Sequence, residues 1–248
     1  MKVGDIRTSN SYGQYEIVSR KPGLITIRFL TTGYVGEFPK GSVRLNSVKD
    51  PLCPNIHGVG FYGDGYFSST LDQKIKMKAW ETWESMLKPC YSKQVVTNPN
   101  HPYHNCSVSE EWHNFQIFCE FYCNDLYRKD GWELDKDLLF KGNKKYSPET
   151  CVFLPVDING ALKLNKSRRG ELPIGVKKQH NRPGYAAVCR NVNGVQVSLG
   201  KFSSVEAAFL AYKEFKESVL KKKAEIWKDE ISPVAYNALM NYRVEWDD

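Results

Sequence analysis

Over the first fifty residues, apolar and polar positions alternate in short runs. Tyr15-Glu16-Ile17-Val18, Leu24 to Leu30 and Tyr34-Val35-Gly36-Glu37-Phe38 are rich in β-branched and aromatic residues. Turn signals at Lys21-Pro22-Gly23 and Thr31-Thr32-Gly33 separate them. A period of two with such punctuation predicts strands. Residues 1–50 are therefore expected to form a small, strongly bent sheet or barrel.

Residues 51–69 lose that period and read as an ordered loop or linker. The Gly-rich run from Gly58 to Gly65 lacks the Lys-Ser/Thr ending of a phosphate loop. The period then lengthens. Leu71, Ile75, Trp80, Trp83, Met86 and Leu87 recur near helical spacing, which predicts a helix over 70–87 ended by Pro89. A second helix fits 109–127, with Trp112, Phe115, Phe118, Cys119 and Tyr122 on one side and Ser109 as its N-cap. Both stripes read as core.

From Trp132 the pattern changes again. Residues 132–165 predict a strand, a tight loop around Lys141-Gly142-Asn143, a second strand through Cys151-Val152-Phe153-Leu154, and a short helix over 156–164. Residues 166–171 form a basic linker. The segment 172–228 predicts three strands and one long helix. Its strands run from Ile174 to Gln179, Tyr185 to Asn191 and Val195 to Gly200, and Asn193-Gly194 is a type I′ hairpin signal. Val205, Ala208, Phe209, Tyr212, Phe215, Val219 and Leu220 of the helix would cover one sheet face and leave the other open, carrying Lys177, Gln179, Arg190, Gln196 and Ser198. Residues 229–248 read as a C-terminal tail. The expected class is α+β, with an N-terminal β module (1–50), a linker (51–69), a central region (70–165) and a C-terminal sheet-plus-helix domain.

Charge sharpens this division. Lys163 to Lys228 contain 15 Lys and Arg against 5 Asp and Glu, a net of +10, whereas the rest of the chain, with 20 and 23, nets −3. Positive charge gathered on one module is the footprint of a polyanion partner. No run of 18 apolar residues is present, so no membrane partner is expected, and Met1-Lys2-Val3-Gly4-Asp5 lacks the apolar core of a signal peptide. The seven cysteines form no pair of CxxC motifs. Cys119 and Cys123, one turn apart, read as core thiols, and a reducing cytoplasmic setting is expected.

Two groups of residues resemble known families. Gly175-Val176-Lys177, Tyr185-Ala186-Ala187, Leu199-Gly200-Lys201-Phe202, Glu206-Ala207-Ala208 and Ala211-Tyr212 together resemble the plant ethylene-response-factor (Apetala) type DNA-binding domain. That domain is found also in phage homing endonucleases, and the arm-binding domain of phage integrases is similar. The resemblance covers about 55 residues. It implies a three-stranded sheet laid in the major groove of duplex DNA. Lys177, Lys178, Gln179, Arg182, Arg190, Gln196 and Ser198 would make the contacts, helped by Lys166, Arg168 and Arg169 of the linker. Lys, Val or Ser stand where plant members carry Arg and Trp at several contact positions. Phosphate attraction is therefore better supported than base specificity.

The second group is Trp83-Glu84-Ser85-Met86-Leu87, Trp112, Phe115 and Phe118, then Leu134-Asp135-Lys136-Asp137, Gly142-Asn143 and Tyr146 to Cys151. It resembles the phage HNH homing-endonuclease family, which implies a strand–strand–helix site holding one divalent metal, Mg or Mn. Asp135 matches the acidic residue before the family's His, and Lys136 stands where that His would be. Asn143 matches the mid-loop Asn, and Asn159 the last Asn, on the helix. The implied metal ligands are Asp135 and Asn159. With no His between His113 and His180, the candidate base is His101, His104 or, first among them, His113, from a neighbouring loop. A lysine at its ordinary pKa is protonated at neutral pH and is a poor base. Asp135 and Asp137 fit equally well as residues that fix the hairpin through backbone hydrogen bonds. Three functions stand open, the first two being a metal-dependent DNA endonuclease and a DNA-binding protein that keeps the architecture without the chemistry. A phage structural protein whose basic helix is only solvated is the third.

Overall fold

A computed structural model describes residues 1–65, 67–99, 101, 103–163, 171–180 and 182–248. The fold is α+β. It divides into two compact units, 1–124 and 125–248, so the boundary falls inside the segment 70–165.

The first unit opens with an antiparallel sheet of β1 (Ile6–Ser9), β2 (Gly13–Lys21), β3 (Leu24–Phe29) and β4 (Val35–Pro39), in that order, followed by α1 (Lys40–Arg44). The period-two reading holds on β3, where Ile25, Ile27 and Phe29 are buried while Thr26 and Arg28 lie between them. With Tyr15, Ile17, Val43 and Val48 they form one core.

The helical part holds α2 (Gln73–Tyr91), α3 (Lys93–Val96), the short β5 (Ser107–Val108) and α4 (Phe115–Asn124). Two expected boundaries are corrected. Pro89 does not end the first helix; it lies inside α2, whose C-cap is Ser92. Proline removes one backbone donor, and burial of Leu87 and Cys90 on either side of it holds the last turn in place. The second helix is shorter than 109–127, because Glu110–His113 is a 3-10 turn and Asn114, in extended backbone, separates it from α4. The aromatic stripes are core. Trp83 Nε1 donates to the Trp112 carbonyl at 2.6 Å, and the Trp83 and Phe115 rings lie 5.3 Å apart.

The second unit begins with β6 (Glu133–Asp135), β7 (Lys145–Tyr146), β8 (Val152–Leu154) and α5 (Val156–Leu162). β6 and β8 pair antiparallel, Leu134 opposite Phe153. The strand expected from 132 is only three residues long, since Asp135 turns the chain. Next come β9 (Val176–Lys178), β10 (Tyr185–Arg190), β11 (Gln196–Phe202), α6 (Val205–Trp227) and α7 (Pro233–Met240). The sheet order is β11-β10-β9, all antiparallel.

α6 serves two cores. Ser204 caps it, its Oγ accepting from Ala207 N at 3.1 Å, and Glu206 sits in the positive first turn. Its first half lays Ala208, Phe209 and Tyr212 on Val176, Ala187 and Cys189 of the sheet. Its second half lays Leu220 and Ala224 on Leu138, Val152, Leu154 and Ile158. The larger of these, such as Leu154, Ile158 and Leu220, contribute about 1.5–3 kcal/mol each on burial. Gly175, with φ +78°, lets the sheet approach this helix, because a Cβ there would stand 1.9 Å from the Tyr212 ring.

The segment 229–248 is not a tail. Ser232 Oγ accepts from Ala235 N at 3.2 Å, Pro233 sits at the helix start, and Ala235 and Leu239 of α7 join the second core.

Candidate nucleic-acid interface

Strand register decides which side chains share a face. Lys177, Ala186 and Lys201 stand opposite one another across β9, β10 and β11. Val188 pairs with Ser198 and Arg190 with Gln196. By register these seven share one face and Val176, Ala187, Cys189 and Val197 the other, on which α6 packs; toward the end of β10, Val188, Arg190 and Gln196 also line a cleft beside that helix. On the open face Lys177, Arg190, Gln196, Ser198 and Lys201 are exposed, and Ala186 and Val188 are half-buried.

The outline suits a groove. Neighbouring strands are about 4.8 Å apart, so the backbones bearing Lys177 and Lys201 are separated by about 10 Å. The small Ala186 lies between them. The major groove of B-DNA is about 12 Å wide. Cations at both margins of a low centre can meet phosphates on either side while Arg190 and Gln196 reach toward base edges. Among the described residues, no carboxylate forms an ion pair with Lys177, Arg190 or Lys201.

The period-two pattern does not place Lys201 here. Strict alternation from Gln196 and Ser198 would put Gly200 on the open face and Lys201 beneath it. The register shifts between Ala187 and Val188, leaving Leu199 unpaired, and this bulge brings Lys201 to the open side. The signal in the sequence was Gly200 within a strand.

The other expected contacts are placed differently. Lys178 is opposite Tyr185, on the helix side by register, though exposed. Gln179 is engaged in its own hairpin: its N–H donates to Gly184 O at 3.1 Å and its Nε2 to Tyr185 O at 3.3 Å. Arg182 is exposed in that connection. Lys166, Arg168 and Arg169 lie outside the described residues. The β10–β11 turn is not type I′. Gly194 has φ +77° but Asn193 does not take positive φ. Asn191 N donates to Val195 O and Gly194 N to Asn191 O, a three-residue loop with one left-handed glycine.

The Asp135 hairpin assembles as strand, loop, strand and helix, but its polar groups serve the loop. Asp135 Oδ1 accepts from Asp137 N at 3.0 Å and Leu138 N at 2.7 Å. Burial pushes its carboxyl above the ordinary range; the two backbone N–H groups oppose that and nearby Asp137 adds to it. Lys136, 7% exposed, donates from Nζ to both Asp137 carboxylate oxygens at 2.7 and 2.6 Å and to Asn143 O at 3.1 Å. Asn143 ties the loop together: Nδ2 donates to Lys136 O and Lys145 O, and Oδ1 accepts from Lys145 N. Asn159 Nδ2 donates to Glu133 Oε2 at 2.5 Å.

This donor set does not suit a divalent cation. One carboxylate oxygen of Asp135 already takes two N–H groups, and an ammonium occupies the neighbouring Asp137. Among the described residues, no three His, Cys, Asp or Glu side chains group as a metal site. His113 belongs to the first unit. Its Nε2 lies 3.2 Å from the Tyr91 hydroxyl, and burial lowers its pKa. Cys119 is buried in α4, its thiol pushed up to about 12 by that burial, as core packing requires. No helix is long and apolar enough to cross a membrane among the described residues.

No protein-family model, curated protein or solved structure matches this chain.

Proposed function

We propose that this chain binds duplex DNA through the open face of the β9–β10–β11 sheet and does not cut it. The observation that carries the reading is the convergence of Lys177, Arg190 and Lys201, none with a carboxylate partner among the described residues, around Ala186 and Val188. The sheet supplies shape and the cations supply phosphate attraction, while α6 fixes the sheet from behind. The net of +10 over residues 163–228 supports the same partner.

The use the hairpin makes of its side chains supports the non-cutting reading. Asp135 holds a turn, Lys136 holds Asp137, and Asn143 and Asn159 hold backbone and Glu133. The strand–strand–helix order agrees with an endonuclease-like ancestry in which this region became a support for α6.

Fluorescence anisotropy with a labelled duplex tests the binding. Three phosphate contacts give a slope of log K against log salt of about −3. Affinity that stays flat between low and moderate salt contradicts the reading.

A further inference from the structure

Within the second unit a cleft of about 750 Å³ opens between α5, the β10–β11 hairpin and α6. β9 starts only at Val176, and Val188 N donates to Gly175 O at 2.8 Å just before it, so that among the described residues no strand pairs with Cys189 and Arg190 of β10 on that side. Gly160, Ala161 and Gly175 line the cleft and keep it roomy. Its size falls in the range of about 300–1,000 Å³ usual for ligand sites.

The lining is cationic. It includes Lys163, Arg190, Lys216 and Lys223 against one carboxylate, Asp157. Two of the four are matched: Lys223 Nζ lies 2.5 Å from Asp157 Oδ2, and Lys163 Nζ 3.4 Å from Glu133 Oε2. Arg190 and Lys216 have no carboxylate partner among the described residues. Lys216 is half-buried and donates to Ala161 O at 2.5 Å. That carbonyl belongs to the last turn of α5, where a cation is favoured by the helix dipole. It accounts for one of three ammonium donors. Burial, chiefly, and the neighbouring Lys223 and Arg190 all disfavour the charged form of Lys216, opposed by Cys189. Keeping cations this close in a partly desolvated cleft is costly unless an anion joins them.

We propose that this cleft is an anion site in which Lys216 and Arg190 hold a phosphate group. Two sources present that chemistry. One is a backbone phosphodiester of duplex DNA lying on the sheet, since Arg190 belongs to both surfaces. The other is a free phosphate or mononucleotide. The first source rests on the DNA-binding reading; the second does not.

The full chain is titrated with inorganic phosphate by calorimetry at constant ionic strength, and with a short duplex by anisotropy across a salt series. Wild type, Lys216→Met and Lys216→Arg are compared, with melting temperatures recorded. A free-ion site predicts that Lys216→Met weakens phosphate binding by about tenfold or more and Lys216→Arg by under about threefold. Duplex binding is then unchanged. A backbone site predicts that Lys216→Met lowers the duplex salt slope by about one, and Lys216→Arg does not. If duplex binding is absent but phosphate binding responds, the cleft stands and the DNA reading falls. If duplex binding is strong and neither titration responds to Lys216→Met, the cleft proposal is overturned and the DNA reading survives. Arg190→Gln, on an exposed side chain, repeats the phosphate titration should Lys216→Met lower the melting temperature.

Discussion

Ser198 and Lys201 present their side chains on the same side of the β9–β10–β11 sheet, although three residue steps in an unbroken strand would place them on opposite sides. The unpaired Leu199 makes the difference. The bulge supplies the open face with its third cation and places it opposite Lys177, across the small Ala186.

Lys201→Gln is accordingly expected to lower the duplex salt slope by about one. Lys178→Gln, at a neighbouring position on the helix side by register, is expected to change it less. Anisotropy titrations at several salt concentrations measure both. An equal loss from the two variants would show that register does not govern the contact.

Asp135 acts here as a turn-fixing residue. Asp135→Ala strands two backbone N–H groups and is expected to cost about 1–3 kcal/mol in urea unfolding. Asp135→Asn keeps an acceptor. Because burial raises the folded carboxyl above its unfolded value of 3.8, the wild type loses stability as pH rises from that value through the folded one. Asp135→Asn should therefore gain on wild type across that window and hold a constant difference above it. Parallel unfolding curves across the window would contradict this. In the same preparations, nicking of duplex by wild type with Mg²⁺ or Mn²⁺ that vanishes in Asp135→Ala would overturn the non-cutting reading.

The double duty of α6 makes a third prediction. Leu220 packs in the core of the β6–β8 hairpin, while Phe209 and Tyr212 on the same helix pack on the sheet. Leu220→Ala should cost about 2–5 kcal/mol. Amide exchange should then accelerate together in β8 and β10. Protection lost from β8 alone would mean the two cores unfold separately.

The fold was legible where one local signal sufficed. The alternation in β3, the Ser204 cap with Glu206, and the apolar spacing through Ala208, Phe209 and Tyr212 placed their elements correctly. What escaped depended on partners distant in sequence. Pro89 was overridden by the burial of Leu87 and Cys90. Ser232-Pro233 carried a helix-start signal, but only packing against Ile231 and Leu220 gives α7 its place in the core. Asn193-Gly194 by itself signals a two-residue turn, and pairing of Asn191 with Val195 makes it three. On the open sheet face, Lys177, Arg190, Gln196 and Ser198 follow from period two, Gln179 is drawn into its own hairpin, and Lys201 requires the bulge. The roles of Lys136 and Asn143 emerged only from hydrogen bonds that close the loop.

The most direct test of DNA binding by the open face sets two triple variants side by side. Lys177, Arg190 and Lys201 are changed to Gln in one. Lys221, Lys222 and Lys228, on or just beyond the half of α6 away from the sheet, are changed to Gln in the other. Each lowers the net charge from +7 by three. Anisotropy against salt should show the first losing about three units of slope and nearly all affinity at moderate salt, with the second close to wild type. Equal losses, or a larger loss in the second, would contradict the claim.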